Sequence, residues 1–154
     1  MLVACTGSGS GKPQGVNEGI QAHDFTLKTL AGDRVSLSDY KGNVILINFW
    51  ATWCPSCKAE IPDLEAAYRA HKGEGFVVLG VDLQEPRQAV ERFVADMGMT
   101  YPVLLDENGS LMKEYRALGL PTSLIVDRDG VIRVRHAGSL SADQLDKYLA
   151  DLLP

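Results

Sequence analysis

The sequence predicts an α/β domain: a central mixed β-sheet flanked by helices. Three observations carry that prediction. The runs "NVILINFW" (43–50) and "FVVLGVDL" (76–83) are continuously apolar and rich in β-branched residues, the pattern of strands buried on both faces. Each is followed by a segment with helical apolar spacing, one from Cys54 to about Lys72 and one opened by Pro86. The chain closes with "PTSLIVDRDGVIRVRH" (121–136), two antiparallel strands turning at Asp129-Gly130, and a last helix. Strands alternating with helices, then a hairpin and a helix, give a mixed sheet.

Taken in order, "HDFTLKTLAGDRVSLSDYKG" reads as two short alternating strands around a Gly-Asp turn, a hairpin from Phe25 to Leu37. The first helix places Ile61, Leu64, Tyr68 and His71 on one face, and Pro62 inside it should kink it. In the second helix Val90, Phe93, Val94 and Met97 make an apolar stripe, with Gly98 as the stop. "YPVLLD" is a short strand, and "GSLMKEYRAL" a short helix with Leu111, Tyr115 and Leu118 aligned. The last helix starts at Ser141, with Gln144 in capping-box position and Leu145, Tyr148, Leu149 and Leu152 on its buried face. There is no internal repeat.

With 154 residues the chain is long enough for one domain with a core that needs no staples. A net charge of −5 and the lack of a basic stripe argue against a nucleic-acid partner. No apolar run has the length to cross a bilayer, and three cysteines are too few for a disulfide scaffold. No long exposed apolar stripe demands a dimer, so a monomer is expected. Residues 1–20 differ from the rest. Residues 5–20 are dominated by Gly, Ser and small polar groups, the composition of a flexible tether, which leaves 21–154 as the domain. The opening "LVAC" resembles the lipobox of bacterial lipoproteins, which makes Cys5 a lipidation candidate, although the basic and apolar parts of a signal peptide do not precede it. On that reading the domain works outside the cytoplasm, touching the membrane only through its N-terminal anchor.

The chemistry centres on "FWATWCPSCKAEIP" (49–62). Cys54 falls at or just before the first helical turn, where free backbone N–H groups and the helix dipole favour a thiolate. Cys57, three residues on, is close enough to bond to it and should be the more buried of the two. That asymmetry suits a two-step exchange, in which Cys54 attacks a partner's disulfide and Cys57 resolves the mixed disulfide. Pro55 presets the entry into the helix. A zinc site fails on ligand count, because Cys5, His23, His71 and His136 are scattered. A purely structural crosslink gains little from so short a loop. No cofactor is expected beyond the redox-active Cys54–Cys57 disulfide itself.

The same segment resembles the active site of thioredoxin-fold proteins, W-C-x-x-C at the start of a helix with a proline, here Pro62, further along. "GLPTSLIVDRDGVI" (119–132) resembles that family's cis-proline segment, with Pro121 in the cis position. The finer resemblance is to the TlpA/ResA-type branch, which carries an N-terminal hairpin and a central αβ insertion. Here the hairpin and the segment from about Pro86 to Leu105 match those additions. The resemblance implies a thioredoxin fold over roughly 21–154. It also implies a substrate groove formed by Trp53, Pro55, Leu120 and Pro121, and a role for Glu60 in proton transfer with Cys57. Asn48 stands where thioredoxins proper have a buried aspartate, so Glu60 or water must take the Cys57 proton. From the residues alone, Glu60 reads equally as a solvated surface charge. Trp50 and Trp53 are expected to pack around the junction, His23 to be exposed, and His71 and His136 to have no catalytic part.

The resemblance further implies membrane-anchored, extracytoplasmic thiol-disulfide oxidoreductases. These are kept reduced by a membrane thiol-transfer protein and reduce client disulfides, including apocytochrome c before haem attachment. The alternative is a peroxiredoxin-like thiol peroxidase, since peroxiredoxins share the fold. Their pattern puts Thr or Ser three residues before the nucleophilic cysteine and Pro seven before it, whereas this chain has Ala51 and Ile47 there. A binder that never turns over would not need a resolving thiol.

Overall fold

The chain enters its sheet through the expected hairpin, β1 (Thr26–Thr29) and β2 (Arg34–Ser36), turned by Gly32 at φ 93°. The structure is a computed structural model and describes residues 18–153; the lipobox-like start and Cys5 lie outside the described residues. After a 3-10 turn at Leu37–Tyr40 come β3 (Val44–Trp50), α1 (Pro55–His71) and β4 (Phe76–Leu83). Then follow α2 (Arg87–Met97), β5 (Val103–Asp106) and α3 (Ser110–Glu114). The chain ends with β6 (Thr122–Val126), β7 (Ile132–Ala137) and α4 (Ala142–Ala150).

Among the described residues the seven strands are ordered β2-β1-β5-β4-β3-β6-β7. The central three, β5, β4 and β3, are parallel, and the outer pairs run antiparallel, so the sheet is mixed as expected. β3 is buried at every position, which explains its unbroken apolar run. Its alternate residues feed two cores. Val44, Leu46 and Trp50 face α1, α2 and α4, whereas Ile45, Ile47 and Phe49 face α3 and the hairpin side. Each fully buried Leu, Ile or Phe among them contributes about 1.5–3 kcal/mol of transfer free energy. Among the described residues no helix is long and apolar enough to cross a membrane.

Three expectations change. The domain starts before residue 21: Gly19 N–H donates to Ile132 O (2.7 Å) and Ile132 N–H to Ile20 O (2.9 Å), so these residues pair with the start of β7. His23 is half-buried, with its ring edge-on to Tyr115 and its carbonyl accepting the Tyr115 hydroxyl. Leu118 does not continue the face of Leu111 and Tyr115; it is 97% exposed while both of those are buried. The helix stops because Arg116 adopts φ 51°. Arg116 N–H then bonds Lys113 O (3.1 Å) and Ala117 N–H bonds Met112 O (3.0 Å), a Schellman closure usually made by glycine. Pro62 lies inside α1 and does not end it.

Candidate active site

β3 ends at Trp50, the chain turns through residues 51–53, and α1 begins at Pro55 with Cys54 as its N-cap. Pro at the first helical position has no N–H to leave unsatisfied, so the sequence favours the helix starting there. Cys54 Sγ accepts the Cys57 N–H at 3.2 Å, and Lys58 N–H bonds Cys54 O at 3.1 Å. The sulfur thus sits at the N-terminal end of α1 and accepts from an amide of its first turn. Cys54 is disulfide-bonded to Cys57, with Cα atoms 5.2 Å apart. Both cysteines are buried, Cys57 fully and Cys54 with 5% exposure, so Cys54 is the more accessible of the two. The turn is fastened on a second side by Ser139, whose Oγ donates to Ser56 O at 2.7 Å.

Glu60 is no surface charge. It retains 2% exposure, on the turn of α1 that follows Cys57, a spacing that keeps the two on neighbouring faces. Asn48 Nδ2 donates to Glu60 Oε1 (2.6 Å) and to Ser123 Oγ (3.0 Å), and Leu140 N–H donates to Glu60 Oε2 (2.8 Å). Burial pushes the Glu60 carboxyl up to about 7, and the Leu140 and Asn48 donors pull in the opposite direction without cancelling it. A group in that range can both take and return a proton near neutral pH.

The groove residues divide. The Leu120–Pro121 peptide bond is cis, and Thr122, the next residue, pairs with Phe49, which sets this segment beside the end of β3 from which the cysteine turn leaves. Leu120 packs against the cluster that contains Cys54 and Cys57. Leu120 and Pro121 line a cavity of about 240 Å³ together with Leu118, Gly119 and Gly138. Trp53 and Pro55 do not line it. Trp53 is 66% exposed and does not pack around the junction as Trp50 does; Trp50 is fully buried beside Phe93, with ring centroids 5.4 Å apart. His71 bonds Glu74, and His136 contacts Tyr148 and the backbone carbonyl of Ser139; neither imidazole has a cysteine partner.

Sequence reasoning passed over Asp82 and Glu85. Asp82 is 1% exposed and paired in register with Trp50. Burial, and then the Glu85 carboxylate beside it, push its carboxyl up to about 9. Glu85 reaches across to the cysteine turn: Thr52 N–H donates to Glu85 Oε1 at 2.6 Å, and Thr52 Oγ1 donates to Oε2. A signal existed for Asp82, the single charge in the otherwise apolar "FVVLGVDL". None existed for the Thr52–Glu85 contact, which joins residues 33 positions apart.

A family model described as the AhpC/TSA family matches residues 19–135. The chain is similar to the thiol-disulfide oxidoreductase ResA of Bacillus thuringiensis subsp. konkukian, 33% identical over 143 residues, covering 93% of this chain and 83% of that protein. Among solved structures, a Chlorobium tepidum protein described as a thiol:disulfide interchange protein DsbE superposes with a TM-score of 0.84 at 31% identity, covering 90% of this chain and 99% of that one. StoA from Bacillus subtilis superposes with a TM-score of 0.72 at 34% identity, covering 82% and 96%.

Proposed function

Because the chain belongs to the AhpC/TSA family and is a thiol-disulfide oxidoreductase of thioredoxin-like fold, we propose that it works outside the cytoplasm as a reductase of client-protein disulfides. The observation that carries this reading is the pair Cys54–Cys57 at the N-terminus of α1, with the buried carboxyl of Glu60 one turn on. In the reduced enzyme the Cys54 thiolate attacks one sulfur of a client disulfide. A bond forms between Cys54 Sγ and that sulfur, and the other client sulfur leaves as a thiolate. Cys57 gives its proton to Glu60 and attacks Cys54 Sγ, which closes the Cys54–Cys57 disulfide and releases the second client thiolate. The client gains two electrons and the enzyme loses two. Leu120 and Pro121 line the cavity against which the client chain lies, and Trp53 and Pro55, outside that cavity, are the further client contacts that the family resemblance suggests. No cofactor enters, because the electrons reside in the cysteine pair.

A thiol-transfer protein of the membrane restores the dithiol. The resemblance to ResA-type enzymes favours clients of cytochrome c maturation or related assembly, and Cys5 is the candidate for lipid attachment. Insulin reduction driven by dithiothreitol tests the enzyme: the native chain should accelerate it, and Cys54→Ser should not. Equal rates for the two would defeat the reading. Cys57→Ala, expressed with export from the cytoplasm, should hold its client as a mixed disulfide on Cys54. A collection of unrelated thiol proteins would count against a dedicated client. Metabolic labelling with a fatty-acid analogue should mark the exported chain and spare Cys5→Ser.

Peroxide consumption by the purified protein would favour the peroxidase instead. Position 51, where a peroxidase of that pattern needs a hydroxyl, is a buried alanine, and the hydroxyl of Thr52 is committed to Glu85.

A further inference from the structure

Asp82 presents a problem in electrostatics. It is the penultimate residue of β4, in the centre of the sheet, and is 1% exposed; neither of its carboxylate oxygens makes a hydrogen bond of ordinary geometry among the described residues, and the donor that approaches it is the Glu85 backbone N–H. A buried ionised carboxylate without well-formed hydrogen bonds is among the most costly arrangements a fold can hold. The neighbour it does have is Glu85, another carboxylate. Two ionised carboxylates repel and cannot hydrogen-bond to each other, but a pair that shares one proton can.

The partners on each side say where that proton resides. Both Glu85 oxygens are occupied as acceptors, one by the Thr52 amide and one by the Thr52 hydroxyl. Asp82 is approached only by the Glu85 backbone N–H, outside ordinary hydrogen-bond geometry, so a proton of its own is what lets it bond the Glu85 side chain. We propose that Asp82 and Glu85 form a carboxyl–carboxylate pair sharing one proton, and that through Thr52 this pair positions the turn carrying Trp53 and Cys54. Asp82 is the donor to Glu85, Glu85 is the acceptor from Thr52, and Cys54 lies two residues beyond Thr52. Both acids are positioning residues, since neither touches the reacting sulfurs.

The other titratable groups over this face of the sheet have partners elsewhere or no charge to offer. Glu60 from α1 is held by Asn48 and Leu140, and Glu65 from α1 by Thr100 and Arg69. Tyr101 keeps its phenol proton because burial, followed by Glu60 and Glu65, raises its ionisation. The charged residues of α2, namely Arg87, Glu91, Arg92 and Asp96, are all exposed. When Asp82 loses its proton, two carboxylates face each other at the end of β4, Glu85 is pushed away, and Thr52 loses both acceptors. The turn ahead of the cysteines then loosens in alkaline solution.

This inference rests on the oxidoreductase reading for its consequence, but its first test needs no activity. In the oxidised protein, whose cysteines do not titrate, carboxyl carbon-13 NMR should find Asp82 protonated at neutral pH and ionising near pH 9, the range to which burial and Glu85 raise it. The Thr52 amide should be protected from hydrogen exchange, and after correction for the intrinsic pH dependence that protection should fall over the same interval. Glu85→Gln should cut Thr52 protection roughly tenfold and shift the equilibrium with glutathione roughly tenfold, about 30 mV for a two-electron couple. Should Glu85→Gln fail to fold, Thr52→Val keeps every charge and removes one donor to Glu85, so it should lower the pH at which Asp82 ionises. Asp82 titrating in the ordinary carboxylate range overturns the shared proton. Unchanged Thr52 protection in Glu85→Gln, or an Asp82 titration indifferent to Thr52→Val, overturns the positioning. Loss of insulin reduction by the native chain would instead strike the oxidoreductase reading and leave the titration standing.

Discussion

Asn48 Nδ2 donates to Glu60 Oε1 across 2.6 Å, joining the central strand to the second turn of α1 in a layer closed to solvent. The amide holds the carboxyl without adding charge, so burial governs the carboxyl's ionisation. A buried aspartate at position 48 would add a second negative charge to that layer.

Glu60→Gln therefore removes the proposed proton acceptor for Cys57 while keeping size and polarity. Insulin reduction should slow by roughly 10²-fold near neutral pH, the lower end of what general acid–base groups contribute. The native pH–rate profile should rise through about 7, where Glu60 ionises, and the variant should lack that limb. Superimposable profiles would remove Glu60 from the mechanism.

Stability should depend on pH with a definite sign. Burial raises Glu60 from 4.5 to about 7 and Asp82 from 3.8 to about 9, so the folded state holds protons that the unfolded state has released. Their contribution is fully present below the unfolded values and is lost as pH rises through about 7 and then about 9. Glu65 and Asp127 work in the opposite sense. Hydrogen bonds from Thr100 and Arg69, and from Val131, Asp129 and Arg133, outweigh burial and hold them below the usual range, so their contribution is lost in acid. Urea denaturation of the oxidised protein should show a midpoint that falls steadily from weakly acidic to alkaline solution. Asp82→Asn should flatten the alkaline part of the fall, and an unchanged slope there would contradict the burial argument.

Two leucines separate sequence pattern from structure. Leu64, on the inner face of α1, is fully buried, and Leu64→Ala should cost about 2–5 kcal/mol by denaturant titration. Leu118, at 97% exposure, should tolerate the same change within about 0.5 kcal/mol. A large loss at Leu118 would mean that α3 continues past Tyr115.

Ser141 caps α4 by accepting the Gln144 N–H, while Gln144 Oε1 accepts the Ser141 N–H at 3.0 Å. Ser141→Ala should cost about 1 kcal/mol, readable as a lower denaturation midpoint at constant slope.

Much of the fold was legible because the code was local. β3 and β4 announce themselves by unbroken apolar runs, and α1, α2 and α4 by Pro55, by Pro86 with Gly98, and by the Ser141–Gln144 box. The cysteine pair was legible for the same reason, since residues three apart at a helix start meet whatever the rest of the chain does. The end of α3 was not, because Arg116 takes a left-handed conformation that the sequence marks only at glycine. Glu60 was half legible: its spacing from Cys57 is local, but its burial is set by Asn48 on β3 and Leu140 ahead of α4.

By itself, then, the order of residues determined the strands, most helix ends, the CPSC dithiol and its place at a helix N-terminus. These depend on side-chain periodicity and backbone chemistry within a few residues. Only the tertiary structure decided which carboxyls lie in the dark around that dithiol. Glu60, Asp82 and Glu85 look alike as letters, and their proton affinities come from desolvation and from donors supplied by elements distant in the chain.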